Sequence, residues 1–296
     1  MTRYPALLLF LASFGGTSDM AGATLAAPGQ DAASGQRLTL SWENGFLTIR
    51  GAFPGKRLRV QYLEAYCRPG STDRDWDKTV IPHQSVLEST GSNRHTIRLT
   101  DTLADGAIVH HTITAGTDEV DFCLVATNPT PQVSAAHWAQ PCIRVDRFTG
   151  CGTSDACALV PAYARQCFLF LHGHLAHLPT TPWADQARYV PGQVYCPAGV
   201  DRNDVNPRPL SPLVPSNGLT GCFSADGRHL MAVAWEPYQE IFQGVVTCIH
   251  SDPRIGGLQP GETKKIHGKI YLIEADIDAL LRRYRQDFPA QAAREK

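Results

Sequence analysis

The chain is poor in charge. Charged residues make up 19% of its 296 positions, and 27 basic against 28 acidic side chains leave a formal net charge of −1. That balance offers no global attraction for nucleic acid or for an anionic membrane surface. Beyond the leader described below, no long apolar run is present, so no segment of the kind that spans a bilayer follows it; such a helix needs about 20 apolar residues. There is no glycine-rich nucleotide loop and no Gly-x-Ser-x-Gly nucleophile elbow. Nine cysteines form no Cys-x-x-Cys pair, so the spacing gives no support for zinc. No internal repeat is visible. No cofactor or metal is therefore expected, and nucleic acid is not an expected partner.

What is present begins with an export address. Arg3 precedes the apolar stretch Ala6 to Phe14, and small residues follow at Ala21-Gly22-Ala23 and Leu25-Ala26-Ala27. This is the layout of a secretory signal peptide over residues 1–27. The expected location is periplasmic or extracellular, with no membrane span after processing. Residues 28–36, rich in Pro, Gly, Ala, Ser and Gln, read as a flexible linker. An oxidising compartment permits disulfides. Cys151 and Cys157 are the best candidate pair, with two free thiols as the other reading. Cys123, Cys142, Cys222 and Cys248 sit in strand-like runs and read as small buried hydrophobes.

The body of the chain is rich in turn residues, with 25 glycines and 21 prolines, a β-type composition. Leu38, Leu40 and Trp42 alternate on one face, Asn44-Gly45 follows, and a strand resumes over Phe46 to Arg50. Two runs joined by Asn-Gly predict a hairpin, because a type I′ turn needs φ > 0 at both central residues. Asp105-Gly106 and Asp226-Gly227 predict two more. Further strands are expected at Leu58–Tyr66, Val120–Ala126, Ala136–Val145, Gln166–Leu171, Val245–His250 and Lys264–Ile273. Many short strands with glycine turns predict a mainly β fold, a large antiparallel β-sandwich domain over residues 37–274. Ile277, Leu280, Leu281, Tyr284 and Phe288 fall on one helical face, Asp276 can cap it and Pro289 stops it. This predicts one C-terminal amphipathic helix over residues 275–289, packed on the sandwich. Between His172 and Thr220 eight prolines and few strand-like runs interrupt the rhythm. Long loops of this kind are often functional, and an ordered loop over one end of the sandwich is expected.

Three polar clusters carry candidate chemistry. The first runs from His137 to Arg147. Strand alternation would put Trp138, Gln140, Arg144 and Asp146 on one face, suited to stacking a pyranose ring and fixing its hydroxyls; an Arg144–Asp146 surface ion pair is the plainer reading. The second is Trp235-Glu236-Pro-Tyr238-Gln239-Glu240, where carboxylates stand beside aromatics that could serve general acid–base work on a sugar. The third is Cys248-Ile-His250-Ser-Asp252-Pro-Arg254, in which His250 closes a strand and titrates near neutral pH. His172, His174 and His177 have no nearby carboxylate, and Gly173 suggests a turn, so a metal reading there is set aside.

The stretch Asp121 to Thr130 with Ala136-His137-Trp138, and Val246 to His250 followed by Leu258-Gln-Pro260-Gly261-Glu262, resemble signatures of the galactose mutarotase-like superfamily. The resemblance implies a supersandwich, the fold of aldose epimerases and of several polysaccharide lyases and hydrolases. It assigns the general acid to His137. It places the epimerase's catalytic Glu where this chain has His250, so Glu236 or Glu240 would have to substitute. The expected function is a secreted carbohydrate-active enzyme, a polysaccharide lyase in the first instance. His137, His250, Glu236 and Tyr195 would be catalytic, with Tyr238 as the alternative to Tyr195 as the partner acid or base. Trp138, Gln140, Arg144, Asp146, Arg147, Arg202, Trp235 and Tyr238 would bind substrate. The alternatives are an aldose 1-epimerase-like enzyme and a non-catalytic carbohydrate-binding protein with Trp138, Trp183 and Trp235 as a stacking platform. Convergence of His137, Arg144, Glu236 and His250 in one pocket would favour catalysis.

Overall fold

Asn44 and Gly45 both take positive φ, 49° and 76°, and the strands on either side pair from Glu43↔Phe46 outward. The Asn-Gly turn thus sets the register of the first hairpin, as a two-residue type I′ loop does. The computed structural model describes residues 35–70, 76–152, 160–180, 193–205, 210–244 and 246–292. The expected export leader (residues 1–27), most of the expected linker, Cys157, Trp183 and Tyr189 lie outside them. Asp105-Gly106 and Asp226-Gly227 also turn hairpins, with Gly106 at φ 89° and Gly227 at φ 67°.

Among the described residues the chain forms seventeen strands in two antiparallel sheets. In chain order they are β1 Thr39–Glu43, β2 Phe46–Arg50, β3 Arg57–Cys67, β4 Val80–Ile81, β5 His83–Thr90, β6 Thr96–Leu103, β7 Ile108–Ala115, β8 Glu119–Thr127 and β9 Trp138–Arg144. They continue with β10 Cys167–Leu171, β11 His174–His177, β12 Val194–Tyr195, β13 Thr220–Phe223, β14 His229–Glu236, β15 Tyr238–Gln243, β16 Cys248–Pro253 and β17 Thr263–Glu274. The first sheet runs β1-β2-β3-β9-β16-β15-β12, with β4 on β3, and the second runs β11-β10-β13-β14-β17-β8-β7-β6-β5. The protein is a β-sandwich, and its sheets are wide.

Alternation explains the layering. In β8 the buried positions are Val120, Phe122, Leu124 and Ala126, with partly exposed residues between them. They join Leu58, Val60, Ile143, Ile249 and Ile270 in the core between the sheets. A polar network lies inside this core: the Tyr66 hydroxyl donates to Asp101 at 2.6 Å, and Tyr62 Oη lies 3.0 Å from His111 Nδ1.

Each sheet also has a covered outer face. Helix Ile277–Asp287 is capped by the Asp276 carboxylate, which accepts from Ala279 N–H at 2.8 Å. It lays Leu280, Tyr284 and Phe288 on Phe168, Leu230, Ala232 and Tyr271 of the second sheet. The outer face of the first sheet is covered in part by the segment after β12, where Val200 and Val205 pack with Val194 and Phe242. Strand β9 stops at Arg144, and Asp146 begins a short helix, Asp146–Thr149. Arg144 and Asp146 therefore do not share a strand face, because the backbone leaves the pleat at Val145 (φ −105°, ψ 8°) and Asp146 is already helical. No disulfide joins the eight described cysteines. Most lie inside the close-packed sheets as the apolar reading had it, though Cys123 and Cys151 are partly exposed.

Candidate functional site

The two motif-like stretches meet in space. The Asn128 side chain, buried at the end of β8, donates to the carbonyls of Gln132 and Leu258 at 2.7 and 3.0 Å. The backbone pairs Asn128 N–H with the Glu262 carbonyl (3.0 Å) and Gly261 N–H with the Asn128 carbonyl (2.8 Å). The Asn turn therefore docks on the Leu-x-Pro-Gly-Glu turn, and this fixes the approach to His137. The His137 N–H donates to the Cys67 carbonyl at 2.8 Å, and its own carbonyl accepts from Ile255 and Gly256 N–H at 2.8 and 2.7 Å.

With its backbone pinned, the His137 ring meets a carboxylate. Nδ1 lies 3.2 Å from Asp204 Oδ2, with a quarter of the His137 side chain exposed. A carboxylate accepts only, so Nδ1 carries the proton and Nε2 is left for other work. Nε2 faces Gly257 at φ 71°, where a Cβ would stand 3.2 Å from it. Asp204 is held from several sides. Gly70 N–H donates to Oδ1 at 2.8 Å, and Arg254 Nη1 donates to Oδ2 at 3.2 Å. Arg254 also donates to Gln239 Oε1, and Gln239 Nε2 donates to the Asp204 carbonyl at 2.9 Å. Burial works against the Asp204 charge, but bonds from His137, Gly70 N–H and Arg254 hold its carboxyl below the ordinary carboxylate range.

Arg254 turns from this network into a cleft of about 830 Å³, lined among others by His172, Asn217, Glu236, Tyr238 and Gln291. A half-buried carboxylate, a guanidinium, amides and an aromatic edge thus share one cavity. Sites for small ligands combine a few polar groups with apolar walls in this way.

The other predicted residues do not gather here. Arg144, Asp146 and Arg147 line a second cleft of about 250 Å³ with Arg57 and Arg59. There Arg144 Nη2 donates to Gln61 Oε1 at 3.1 Å. His137, Arg144, Glu236 and His250 accordingly do not converge in one pocket. Trp138 is fully buried with Ala65 and Cys67, and Trp235 packs on Phe122 at 5.4 Å and over Gly268. Neither indole presents a face for stacking, because each fills the space beside small residues. Trp183 lies outside the described residues. The Tyr195 hydroxyl bonds to Gln193 and Thr180 and is buried. Burial pushes the Tyr195 and Tyr238 hydroxyls upward, the wrong direction for a base at neutral pH. Arg202 donates to the Ser211 carbonyl at 2.7 Å and braces the loop.

Gln140 and His250 lie on the outer face of the first sheet, buried. The His250 ring stacks flat on Phe242 at 4.3 Å. Its Nδ1 is 3.4 Å from Gln140 Nε2 and 3.8 Å from the Asp252 carboxylate. Burial raises the Asp252 carboxyl, with His250 beside it offsetting only part. Proton exchange between His250 and a sugar in solvent contact is not available in this geometry. Glu240 is likewise fully buried, opposite Asp252. Gln239 and Arg254 stand in polar runs that the sequence singles out, and Asp204 stands two residues after Arg202, but alternation alone assigned none of them a role; their partners come from other elements.

No protein-family model matches the chain, and no curated protein sequence does. Solved structures alike in fold do exist. One is that of a putative aldose 1-epimerase from Escherichia coli K12, with TM-score 0.38, 10% identity, and 80% of this chain and 99% of that one covered. A galactose mutarotase-like protein from Lactobacillus casei gives TM-score 0.39, 10% identity and coverage of 79% and 99%. The Slr1438 protein of Synechocystis gives TM-score 0.42, 8% identity and coverage of 80% and 96%.

Proposed function

We propose that the chain is a carbohydrate-active enzyme that moves protons on a sugar held in the Glu236–Arg254 cleft, nearer to an aldose 1-epimerase than to a polysaccharide lyase. The observation that carries this reading is Arg254. Its guanidinium opens on the cleft beside Glu236 while Asp204 and Gln239 hold it from behind, and the same Asp204 fixes the tautomer of His137.

Anomer exchange needs one base and one acid. The base takes the proton of the anomeric hydroxyl, the bond from that carbon to the ring oxygen breaks, and the acid protonates the departing ring oxygen. Rotation and the reverse steps return the other anomer. Glu236 serves as the base, since it is the carboxylate open to the cleft, whereas Glu240 is buried. His172, on the same cleft lining, serves as the acid, while His137, outside that lining, steadies the Asp204 carboxylate that holds Arg254 from behind. Arg254 binds a sugar oxygen and offsets its developing charge. An elimination would instead call on Tyr195 or Tyr238 as base, and burial raises both. Export remains part of the proposal, carried by residues 1–27.

The test is anomer exchange by NMR across neutral aldoses and uronates, with ultraviolet absorbance recorded for unsaturated products. Glu236→Gln should slow exchange by about 10²–10⁴-fold, the usual contribution of one general base, with an unchanged far-UV spectrum. No exchange for any sugar would overturn the reading, and unsaturated products would replace it with elimination.

A further inference from the structure

Strand pairing on the outer face of the first sheet brings two thiols and an imidazole together. Cys248 is paired with Arg144 and Ile249 with Ile143, so the same antiparallel register sets His250 opposite Cys142. Ile143 and Ile249 face the core. Alternation therefore turns Cys142, Cys248 and His250 to the other side, onto one patch. All three are buried, and one donor atom from each lies within 4.8 Å of the other two. Cys248 Sγ is 3.3 Å from His250 Nε2. A tetrahedral zinc ion with ordinary bond lengths holds S and N donors about 3.6 Å apart and two S donors about 3.8 Å apart. The triad needs shifts of a few tenths of an ångström to about one ångström to reach that spacing.

The surroundings fit the same purpose. A metal on Nε2 leaves the proton on Nδ1, which then requires an acceptor. Gln140 and Asp252 stand on that side of the ring, at 3.4 and 3.8 Å. Among the described residues Gln140 Oε1 and both Asp252 carboxylate oxygens are buried with no hydrogen-bond donor. An amide's oxygen and nitrogen are interchangeable by rotation, so Gln140 can turn its oxygen to Nδ1–H while Asp252 supplies the carboxylate of a carboxylate–histidine–metal arrangement. Phe242 stacks on the ring and fixes its plane. Gly244 leaves the donor side clear: a Cβ there would stand 2.1 Å from Cys248 Sγ and 3.1 Å from His250 Nε2.

We propose that Cys142, Cys248 and His250 form a zinc site. Two thiolates and an imidazole select a soft, borderline cation over magnesium or calcium. Binding expels the two thiol protons to solvent, and the ion then ties β9 to β16. The site is independent of the Glu236–Arg254 reading, since none of its donors lines that cleft.

The experiment uses the full chain, stripped with a chelator under reducing conditions and reloaded with zinc or cobalt(II). About one zinc per chain should survive gel filtration. The cobalt form should show thiolate-to-metal charge transfer and tetrahedral d–d bands. Cys142→Ser and Cys248→Ser should weaken zinc binding at least 100-fold, whereas Cys123→Ser, a thiol outside the triad, should leave it unchanged. Asp252→Asn should weaken it about 10–100-fold, as loss of a partner to a ligating histidine does. Absence of thiolate charge transfer in the wild-type cobalt protein would overturn the proposal, even if the serine variants fail to fold. So would a Cys142–Cys248 disulfide in a non-reducing peptide map of the native protein.

Discussion

Asp204 is a single carboxylate on which three elements rest. His137, Gly70 and Arg254 all donate to it, and together they hold its folded pKa below the ordinary value. A carboxyl depressed in the folded state contributes stability above its unfolded pKa of about 3.9 and loses it as pH falls through the folded value. Asp204→Asn should therefore cost about 1–3 kcal/mol at neutral pH, the penalty for weakening charge-assisted bonds to buried donors. The gap to wild type should close as pH drops below about 4. Urea unfolding at several pH values checks this, and a gap that stays constant with pH would show that the charge is not what matters. Arg254→Ala should raise KM more than it lowers stability, because the guanidinium faces the cleft; initial-rate kinetics beside thermal melts separate the two.

Elements show how one missing side chain permits another. Trp235 in β14 is opposite Gly268 in β17, and a Cβ on Gly268 would stand 2.2 Å from the indole. Gly268→Ala should destabilise by about 1–3 kcal/mol through overpacking. Trp235 fluorescence and a thermal melt would report the displaced ring. The helix on the second sheet depends on its cap in a local way. Asp276→Ala removes the bond to Ala279 N–H and should cost about 1 kcal/mol, measured by urea unfolding. Leu280→Ala, in the same helix but fully buried, should cost about 2–5 kcal/mol. The contrast between the two separates a helix-end bond from the packing of the helix on its sheet.

At the scale of the whole molecule, two wide sheets place chemistry at edges and ends. The Arg254 cleft lies where β14, β15 and β16 end and the segment after β12 passes over them. The second, arginine-lined cleft sits toward the other end of β9. No described helix is long and apolar enough to cross a membrane. If residues 1–27 are an export leader, the chain recovered from a secreting host should begin at Thr24 or Pro28. Intact-protein mass spectrometry decides this, and an uncut chain from such a host would sink it.

The local features were legible in the sequence because their physics is local. Asn44-Gly45 announces a turn with two positive φ values, the alternation of β8 announces one buried face, and Asp276 announces a helix start. Strand-ends were legible to within a few residues. Tyr238–Gln243 was harder to read as a strand because every position in it is buried, which removes the alternation. The reach of each polar side chain was a different matter. Trp138 and Trp235 carry the same sequence signal whether they face a sugar or a core, and only the small residues packed beside them put both indoors. Asp204, at the end of the short 3-10 turn Arg202–Asp204, meets His137 just before β9 and Arg254 just after β16 only when that segment closes over the sheet. Cys142 reaches Cys248 and His250 through register, which depends on pairing between distant segments. The sequence by itself determined the hairpins, the sandwich and the capped helix, whose periodicities act between near neighbours. The tertiary structure alone decided which polar groups share a cavity and which are shut away, because that follows from how sheets and loops close on one another.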